Sequence, residues 1–235
     1  MSEHTVSSFD DDLDRVDRLI RDMGERAGEM VRNATHALLT SDTGLAQRVI
    51  SDDAILDERQ RELDDRSIAL IARRQPMAQD LRSVVGAIRM AADLERIGDL
   101  AKNIAKRVGA VGVAAMPKTP SASIEQMSDL VLEQVEGVIR DYMAHDAAAL
   151  TELRSEDEKI DIKYTAVFRE LLTYMMEDPR NITTCTHLLF CAKNLERIGD
   201  HVTNIAENAY YVLTGKQLPM ARPKQDETSV PMLAE

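Results

Sequence analysis

Aromatic residues are scarce in this sequence: Phe, Tyr and Trp make up 3% of 235 residues, and Trp is absent. Glycine and proline are also few, with 10 and 7 copies, so turns have few places to form. Hydrophobic residues still make up 44% of the chain, which is enough for a buried core. A core of Ala, Val, Ile, Leu and Met between rare turns favours long helices over strands.

Cysteine residues are also few, and basic residues are fewer than acidic ones. The two cysteines, Cys185 and Cys191, indicate neither a disulfide framework nor a zinc motif, and we expect both to be reduced core residues. The 29 Lys and Arg are outnumbered by 41 Asp and Glu, which gives a net charge of −12. This balance argues against binding to nucleic acid or to an anionic membrane surface, and it is compatible with binding of cations.

Long apolar runs are missing as well. No stretch of about 18 apolar residues is present, so no segment predicts a transmembrane helix. The first residues, MSEHTVSSFDDDLDR, are polar and acidic and lack the composition of a signal peptide. We therefore expect a cytoplasmic protein with no direct membrane insertion.

The apolar periodicity predicts an all-α fold with six long helices. The predicted helices lie near 10–40, 43–74, 77–108, 124–144, 147–177 and 180–214. Gln75-Pro76 and Asp178-Pro179 interrupt the helical pattern, and Asp42 and Asp146 are suited to be N-caps. Helices of this length joined by short turns are typical of antiparallel bundles.

An internal repeat organises the chain. The segment Leu94-Glu95-Arg96-Ile97-Gly98-Asp99 recurs 101 residues later as Leu195-Glu196-Arg197-Ile198-Gly199-Asp200. The preceding helices share a seven-residue apolar ladder: Val49, Leu56, Leu63 and Leu70 in the first copy, and Leu153, Ile160, Val167 and Tyr174 in the second. We predict a three-helix unit at 10–108, a linker at 109–123, a second three-helix unit at 124–214 and a flexible tail at 215–235.

Each predicted unit contains two pairs of acidic residues spaced i, i+4. The pairs are Asp53 with Asp57 and Glu95 with Asp99 in the first unit, and Asp157 with Asp161 and Glu196 with Asp200 in the second. Residues four apart share a helix face, where like charges destabilise the helix by about 0.2–0.5 kcal/mol per pair. Four such pairs at equivalent positions suggest a function that requires them.

Helix geometry predicts that these acids meet. In the first unit the pairs are centred about 20 residues before and about 21 residues after Gln75-Pro76, so in an antiparallel hairpin they are level to within a few ångströms. The pairs around Asp178-Pro179 are level in the same way. The apolar stripe of the third helix, which contains Leu94 and Ile97, places Glu95 and Asp99 on or beside an outer face. The equivalent stripe of the sixth helix places Glu196 and Asp200 in the same way.

Four carboxylates at one height form an oxygen-rich site that suits divalent cations or ferric iron. The alternative is a solvated acidic face neutralised by basic neighbours, namely Arg61, Arg96, Lys102 and Arg197. A di-iron carboxylate enzyme is a rival class, but it requires Glu-x-x-His motifs, and none of the five histidines follows a Glu by three residues. A helical protein without metal is a third possibility.

The repeated Leu-Glu-Arg-Ile-Gly-Asp segment resembles the PhoU family, as do Asn103-Ile104-Ala105 and its copy Asn204-Ile205-Ala206. Ile71-Ala72-Arg73-Arg74-Gln75-Pro76, followed by Asp80-Leu81-Arg82, is also similar to that family. The resemblance implies two tandem three-helix repeats. It also implies multinuclear metal clusters held by the eight acids above, with iron, zinc, manganese or magnesium as candidate ions.

The same resemblance implies a regulator and not an enzyme. PhoU proteins negatively regulate phosphate uptake and the phosphate-starvation response. The resemblance further implies two partners, the ATPase subunit of the phosphate ABC transporter and a sensor histidine kinase, together with a homodimeric state. The sequence assigns no residues to those contacts.

Overall fold

The computed structural model describes residues 2–111 and 118–218. Its helices are α1 (Ser2–Thr40), α2 (Thr43–Arg74), α3 (Gln79–Ala105), the single turn α4 (Val108–Val111), α5 (Lys118–Met143), α6 (Ala147–Glu177) and α7 (Ile182–Thr214). No strand occurs within the two described ranges. The all-α prediction with six long helices is therefore confirmed.

The predicted N-caps begin the second helix of each unit. The Asp42 carboxylate accepts a hydrogen bond from the Leu45 backbone N–H at 2.8 Å, and the Asp146 carboxylate accepts one from Ala149 at 3.0 Å. These bonds satisfy backbone donors that have no partner inside the helix. Both helices therefore begin where the sequence predicts.

Some predicted boundaries are wrong. The fifth helix begins at Lys118 and α4 ends at Val111, so both extend into the predicted linker 109–123, of which 112–117 lie outside the described residues. Pro120 is the third residue of α5, and proline is tolerated in a first helical turn because that N–H has no intrahelical acceptor. A 3₁₀ turn at Pro179–Asn181 also delays the start of α7 to Ile182. Most of the predicted tail, 219–235, lies outside the described residues.

Two three-helix units share one hydrophobic core. In the first unit α1, α2 and α3 pack together, in the second α5, α6 and α7 do so, and the units meet where α3 packs on α7 and α1 on α5. The apolar ladder of α2 is buried throughout, while that of α6 is buried except at Tyr174, which is partly buried. Cys185 and Cys191 are free thiols buried in this core, as expected.

Two glycines allow the second and third helices of each unit to approach closely. A Cβ atom at Gly98 would lie 2.3 Å from Leu56 Cδ2, and one at Gly199 would lie 2.9 Å from Asp157 Oδ1. A larger residue would force the facing side chain to move, Leu56 at Gly98 and Asp157 at Gly199. These contacts hold the acid-bearing helices side by side. Within the described ranges, no helix combines the length and apolarity needed to cross a membrane.

Replacing Leu63, which is fully buried in the α2 ladder, with Ala tests this packing. We expect the free energy of unfolding to fall by about 2–5 kcal/mol, because the change removes buried methyl groups and leaves a cavity. Urea unfolding followed by circular dichroism measures the loss. Ile68→Ala is the control: Ile68 is 62% exposed on the same helix, so its effect should stay within about 0.5 kcal/mol. Equal losses would contradict the assigned faces of α2.

Candidate functional site

The first unit brings acids of α2 and α3 to one place. The ammonium group of Lys102 lies between the helices, where it donates to Asp53 Oδ2 at 2.5 Å and to Asp99 Oδ1 at 2.7 Å. Arg96 also donates to Asp99, at 3.0 Å, and Arg61 lies 3.9 Å from Asp57. Because Lys102 contacts one carboxylate from each helix, the two acidic pairs are level.

The electrostatics of the first unit show that its carboxylates lie close enough to influence one another. Burial raises the pKa of Glu95, and the neighbouring Asp99 raises it further. Asp57 and Asp53 add to this increase, whereas Arg96 opposes it. Burial also acts to raise the pKa of Asp99, but hydrogen bonds from Lys102 and Arg96 outweigh it and lower that pKa.

The second unit repeats the arrangement with deeper burial. Asp161 and Glu196 are 3% and 2% exposed, and Lys193 Nζ donates to Glu196 Oε1 at 2.9 Å. The Asp157 carboxylate lies against α7 at Gly199, between the positions of Glu196 and Asp200. Asp157 and Asp200 also line a cavity of about 450 Å³. The structure therefore brings the α6 acids to the part of α7 that carries its own acidic pair.

The prediction that the acids of the third and sixth predicted helices lie on or beside an outer face is wrong for Glu196, which is buried, whereas Glu95, Asp99 and Asp200 are partly buried. On the second helix of each unit, Asp53, Asp157 and Asp161 are buried and Asp57 is partly buried. Periodicity shows how a side chain projects from its own helix, but it does not show that a neighbouring helix covers it. The close approach at Gly98 and Gly199 supplies that cover.

The chemistry of these carboxylate donors suits a metal ion, but the positions of their side chains do not form a coordination group. Carboxylate oxygens are the ligands that hard divalent cations and ferric iron prefer, and the level register supplies them from two helices. Among the residues that the structure describes, however, no three Asp, Glu, His or Cys side chains form a group arranged to hold a metal ion. In the first unit the ammonium of Lys102 already lies between two candidate ligands, Asp53 and Asp99.

The repeat is not symmetric at this ammonium group. Lys102 is three residues after Asp99, and the residue three after Asp200 is Thr203. The second unit therefore has a neutral hydroxyl where the first has a cation.

Sequence reasoning missed a polar contact that joins the two units. His201 Nδ1 lies 2.9 Å from Asp93 Oδ1, and Asn204 Nδ2 donates to the same oxygen at 3.4 Å. Asp93 belongs to α3, whereas the other two belong to α7. The repeat gives no signal for this contact, because the positions equivalent to Asp93 and His201 are occupied by Asn194 and Leu100.

Two three-helix repeats, each with paired acids on its second and third helices, define a tandem-repeat helical protein. A family model described as "PhoU domain" matches residues 20–108 and 124–209. The chain belongs to the PhoU family.

Curated relatives match almost the full chain. A phosphate-specific transport system accessory protein PhoU homolog from Rhizobium meliloti (strain 1021) is 54% identical, over 96% of this chain and 95% of its own. The homolog of the same name from Caulobacter vibrioides (strain NA1000 / CB15N) is 46% identical, over 97% of this chain and all of its own.

Solved structures match the fold as well. The crystal structure of PhoU from Pseudomonas aeruginosa superposes with a TM-score of 0.85 at 33% identity, covering 88% of this chain and all of that one. The phosphate transport system regulatory protein PhoU from Streptococcus pneumoniae gives 0.83 at 27% identity, covering 90% of this chain and all of that one.

Replacing Lys102 with Met tests the role of its ammonium group. We expect the free energy of unfolding at neutral pH to fall by about 1–3 kcal/mol, because charge-assisted hydrogen bonds to Asp53 and Asp99 are lost. The pKa of Asp99 is lowered in the folded state, so its contribution is complete well above the ordinary carboxyl pKa of about 4 and is lost as the pH falls through the lowered value. The difference in the free energy of unfolding between wild type and Lys102→Met should therefore become smaller as the pH falls.

Urea unfolding at several pH values between neutrality and about pH 3 measures this gap. Lys159→Met is the matched control: the exposed Lys159 pairs only with Glu156, one turn away on α6, and its loss should change stability by less than about 0.5 kcal/mol. A gap that stays constant across the pH range would contradict the assigned ion pair.

Proposed function

We propose that this protein negatively regulates phosphate uptake and the phosphate-starvation response. Family membership through both repeats supports this, because the matching relatives are named as accessory proteins of the phosphate-specific transport system. The Streptococcus pneumoniae structure is described as a regulatory protein of phosphate transport. The protein would act through contacts with other proteins and not as a catalyst.

In this proposal the protein is an adaptor between two membrane-associated partners. It binds the ATPase subunit of the phosphate ABC transporter and a sensor histidine kinase, so that the kinase responds to transporter activity. The long helices offer continuous exposed faces for such contacts. A homodimer would present each face twice.

The proposal includes metal ions held by the two acidic groups. Asp53, Asp57, Glu95 and Asp99 would be the ligands in the first unit, and Asp157, Asp161, Glu196 and Asp200 in the second. A bound iron, zinc, manganese or magnesium ion would supply positive charge that neutralises neighbouring carboxylates. Because every group draws carboxylates from both helices, a bound ion would also fix the second helix of each unit against the third.

The two units are expected to differ in affinity for metal. In the first unit Lys102 already supplies positive charge between Asp53 and Asp99, and a metal ion would have to displace it. In the second unit Thr203 stands at the equivalent position and brings no charge there; the cation of that unit, Lys193, donates to Glu196 at 2.9 Å from one turn away on the same helix and does not lie between the two helices as Lys102 does. The second unit should therefore retain metal more strongly.

Metal content of the purified protein, measured by mass spectrometry after loading and gel filtration, tests this difference. Glu196→Ala with Asp200→Ala should remove more metal than Glu95→Ala with Asp99→Ala, and the two losses should add.

Exchanging the residues at the Lys102 position tests the role of that charge: Lys102→Thr should raise metal retention in the first unit, and Thr203→Lys should lower it in the second. Asp52→Ala, an exposed acid beside Asp53, is the control and should change nothing. Equal loss from both units in either double variant would contradict independent sites, and no retained metal in wild type would refute the metal part of the proposal.

A pull-down from membranes of phosphate-replete cells tests the adaptor role. Tagged protein should recover the phosphate transporter ATPase or the sensor kinase, identified by mass spectrometry, and resin without protein should recover neither. Cells that lack the protein should take up phosphate faster under replete conditions. Recovery of neither partner together with unchanged uptake would refute the regulatory proposal whatever the metal content.

A further inference from the structure

A cavity of about 940 Å³ lies between α3 and α7, where the two units meet. One face of α3 forms one wall, with Arg82, Val85 and Arg89 spaced three and four residues apart. One face of α7 forms the other, with Asn204, Asn208 and Tyr211 in the same spacing. Neither the acidic pairs nor the family's accessory function accounts for this cavity.

Two arginines in this cavity have no anionic partner. Within residues 2–111 and 118–218, neither Arg82 nor Arg89 forms an ion pair or a side-chain hydrogen bond, and Arg82 Nε is buried without an acceptor. The two acids that line the cavity already have partners: Glu207 pairs at 3.1 Å with Arg154, which lines the same cavity, and Asp93 contacts His201. The three arginines that line the cavity, Arg82, Arg89 and Arg154, outnumber its two acids, Asp93 and Glu207, so the lining carries a net positive charge.

The position of Arg82 has a partial explanation within the fold. A Cβ atom at Gly215 would lie 3.3 Å from Arg82 Cζ, so the guanidinium lies beside the C-terminal end of α7. A helix C-terminus carries partial negative charge that favours a nearby cation. This attraction supplies no acceptor for the buried Nε and does not extend to Arg89, which is seven residues, or about 10 Å, further along α3.

The repeat provides an internal comparison. Arg89 is equivalent to Phe190, and Asn208 is equivalent to Arg107, at the same offset of 101 residues. On that side of the helix pair the arginine has partners: Arg107 lies 4.3 Å above the Phe190 ring and 3.2 Å from His187 Nδ1. On the cavity side, Arg89 stacks on no aromatic ring and contacts no histidine among the described residues.

We propose that this cavity binds a small anion built from linked phosphoryl groups. Guanidinium groups bind phosphate oxygens through paired hydrogen bonds, and among the described residues Arg82 and Arg89 have no other anionic partner that a ligand would have to displace. Two cationic residues about 10 Å apart along one helix face suit an elongated anion better than a single phosphate. The side-chain amides of Asn204 and Asn208 and the Tyr211 hydroxyl add polar groups to the opposite wall.

The linked phosphoryl groups could belong to an inorganic polyphosphate or to a nucleoside polyphosphate. The recognition chemistry is shared, because both present the same chain of charged oxygens. Inorganic tripolyphosphate and ATP are therefore the two probes. Tighter binding of tripolyphosphate would assign the inorganic source, and tighter binding of ATP would assign the nucleotide, since the cavity is large enough for more than a phosphate chain.

Titration calorimetry on the full chain tests the proposal. The protein is first stripped of metal and freed of chelator, so the result does not depend on the metal sites. Wild type should bind tripolyphosphate saturably with one site per chain, and orthophosphate and citrate should bind at least about tenfold more weakly. Arg82→Gln with Arg89→Gln should reduce affinity for tripolyphosphate by about tenfold or more, and Asn208→Asp should weaken it by adding a negative charge.

Matched variants separate this site from general charge effects. Arg48→Gln removes an exposed arginine of α2 outside the cavity and should leave affinity within about twofold. Arg89→Gln alone changes an exposed side chain, so its weaker binding cannot be attributed to misfolding. Absence of saturable binding, equal affinity for citrate, or wild-type affinity in Arg89→Gln would each overturn the proposal.

Discussion

The close packing of the second helix on the third in each unit is the constraint on which the other features depend. Gly98 and Gly199 occupy positions where a Cβ atom would collide with the facing helix, so the helices meet at less than ordinary side-chain distance. This contact places the acids of both helices at one level and covers part of them. A looser contact would leave four separate acidic pairs facing solvent.

Burying carboxylates has an electrostatic cost, and the two units differ in the positive charge that offsets it. In the first unit Lys102 bridges Asp53 and Asp99, and Arg96 assists from the surface. In the second unit the acids are more deeply buried, and the residue equivalent to Lys102 is the neutral Thr203. The repeat thus keeps the backbone arrangement while the chemistry of the two sites diverges.

The contact between α3 and α7 gives the molecule features that neither unit has alone. It joins Asp93 to His201, and it encloses the cavity lined by Arg82 and Arg89. Because the two helices are equivalent by repeat but differ in sequence, the two sides of their contact differ: Arg107 is stacked on Phe190 on one side, and the equivalent residues Asn208 and Arg89 line the cavity on the other. A pseudo-symmetric fold can in this way carry an asymmetric site.

The number of long helices, the N-caps Asp42 and Asp146, the α2 apolar ladder and the level of the acidic pairs all follow from the amino-acid order. They are local, because helix rise, residue periodicity and capping depend on residues a few positions apart. The first turn of α5 falls within the predicted linker, because proline, which breaks the interior of a helix, is tolerated in a first turn, where Pro120 lies. The burial of Glu196, the bridge made by Lys102 and the cavity between α3 and α7 depend on which side chains a neighbouring helix presents. Sequence periodicity describes how side chains project around a single helix, whereas these features depend on the distance and rotation between two neighbouring helices.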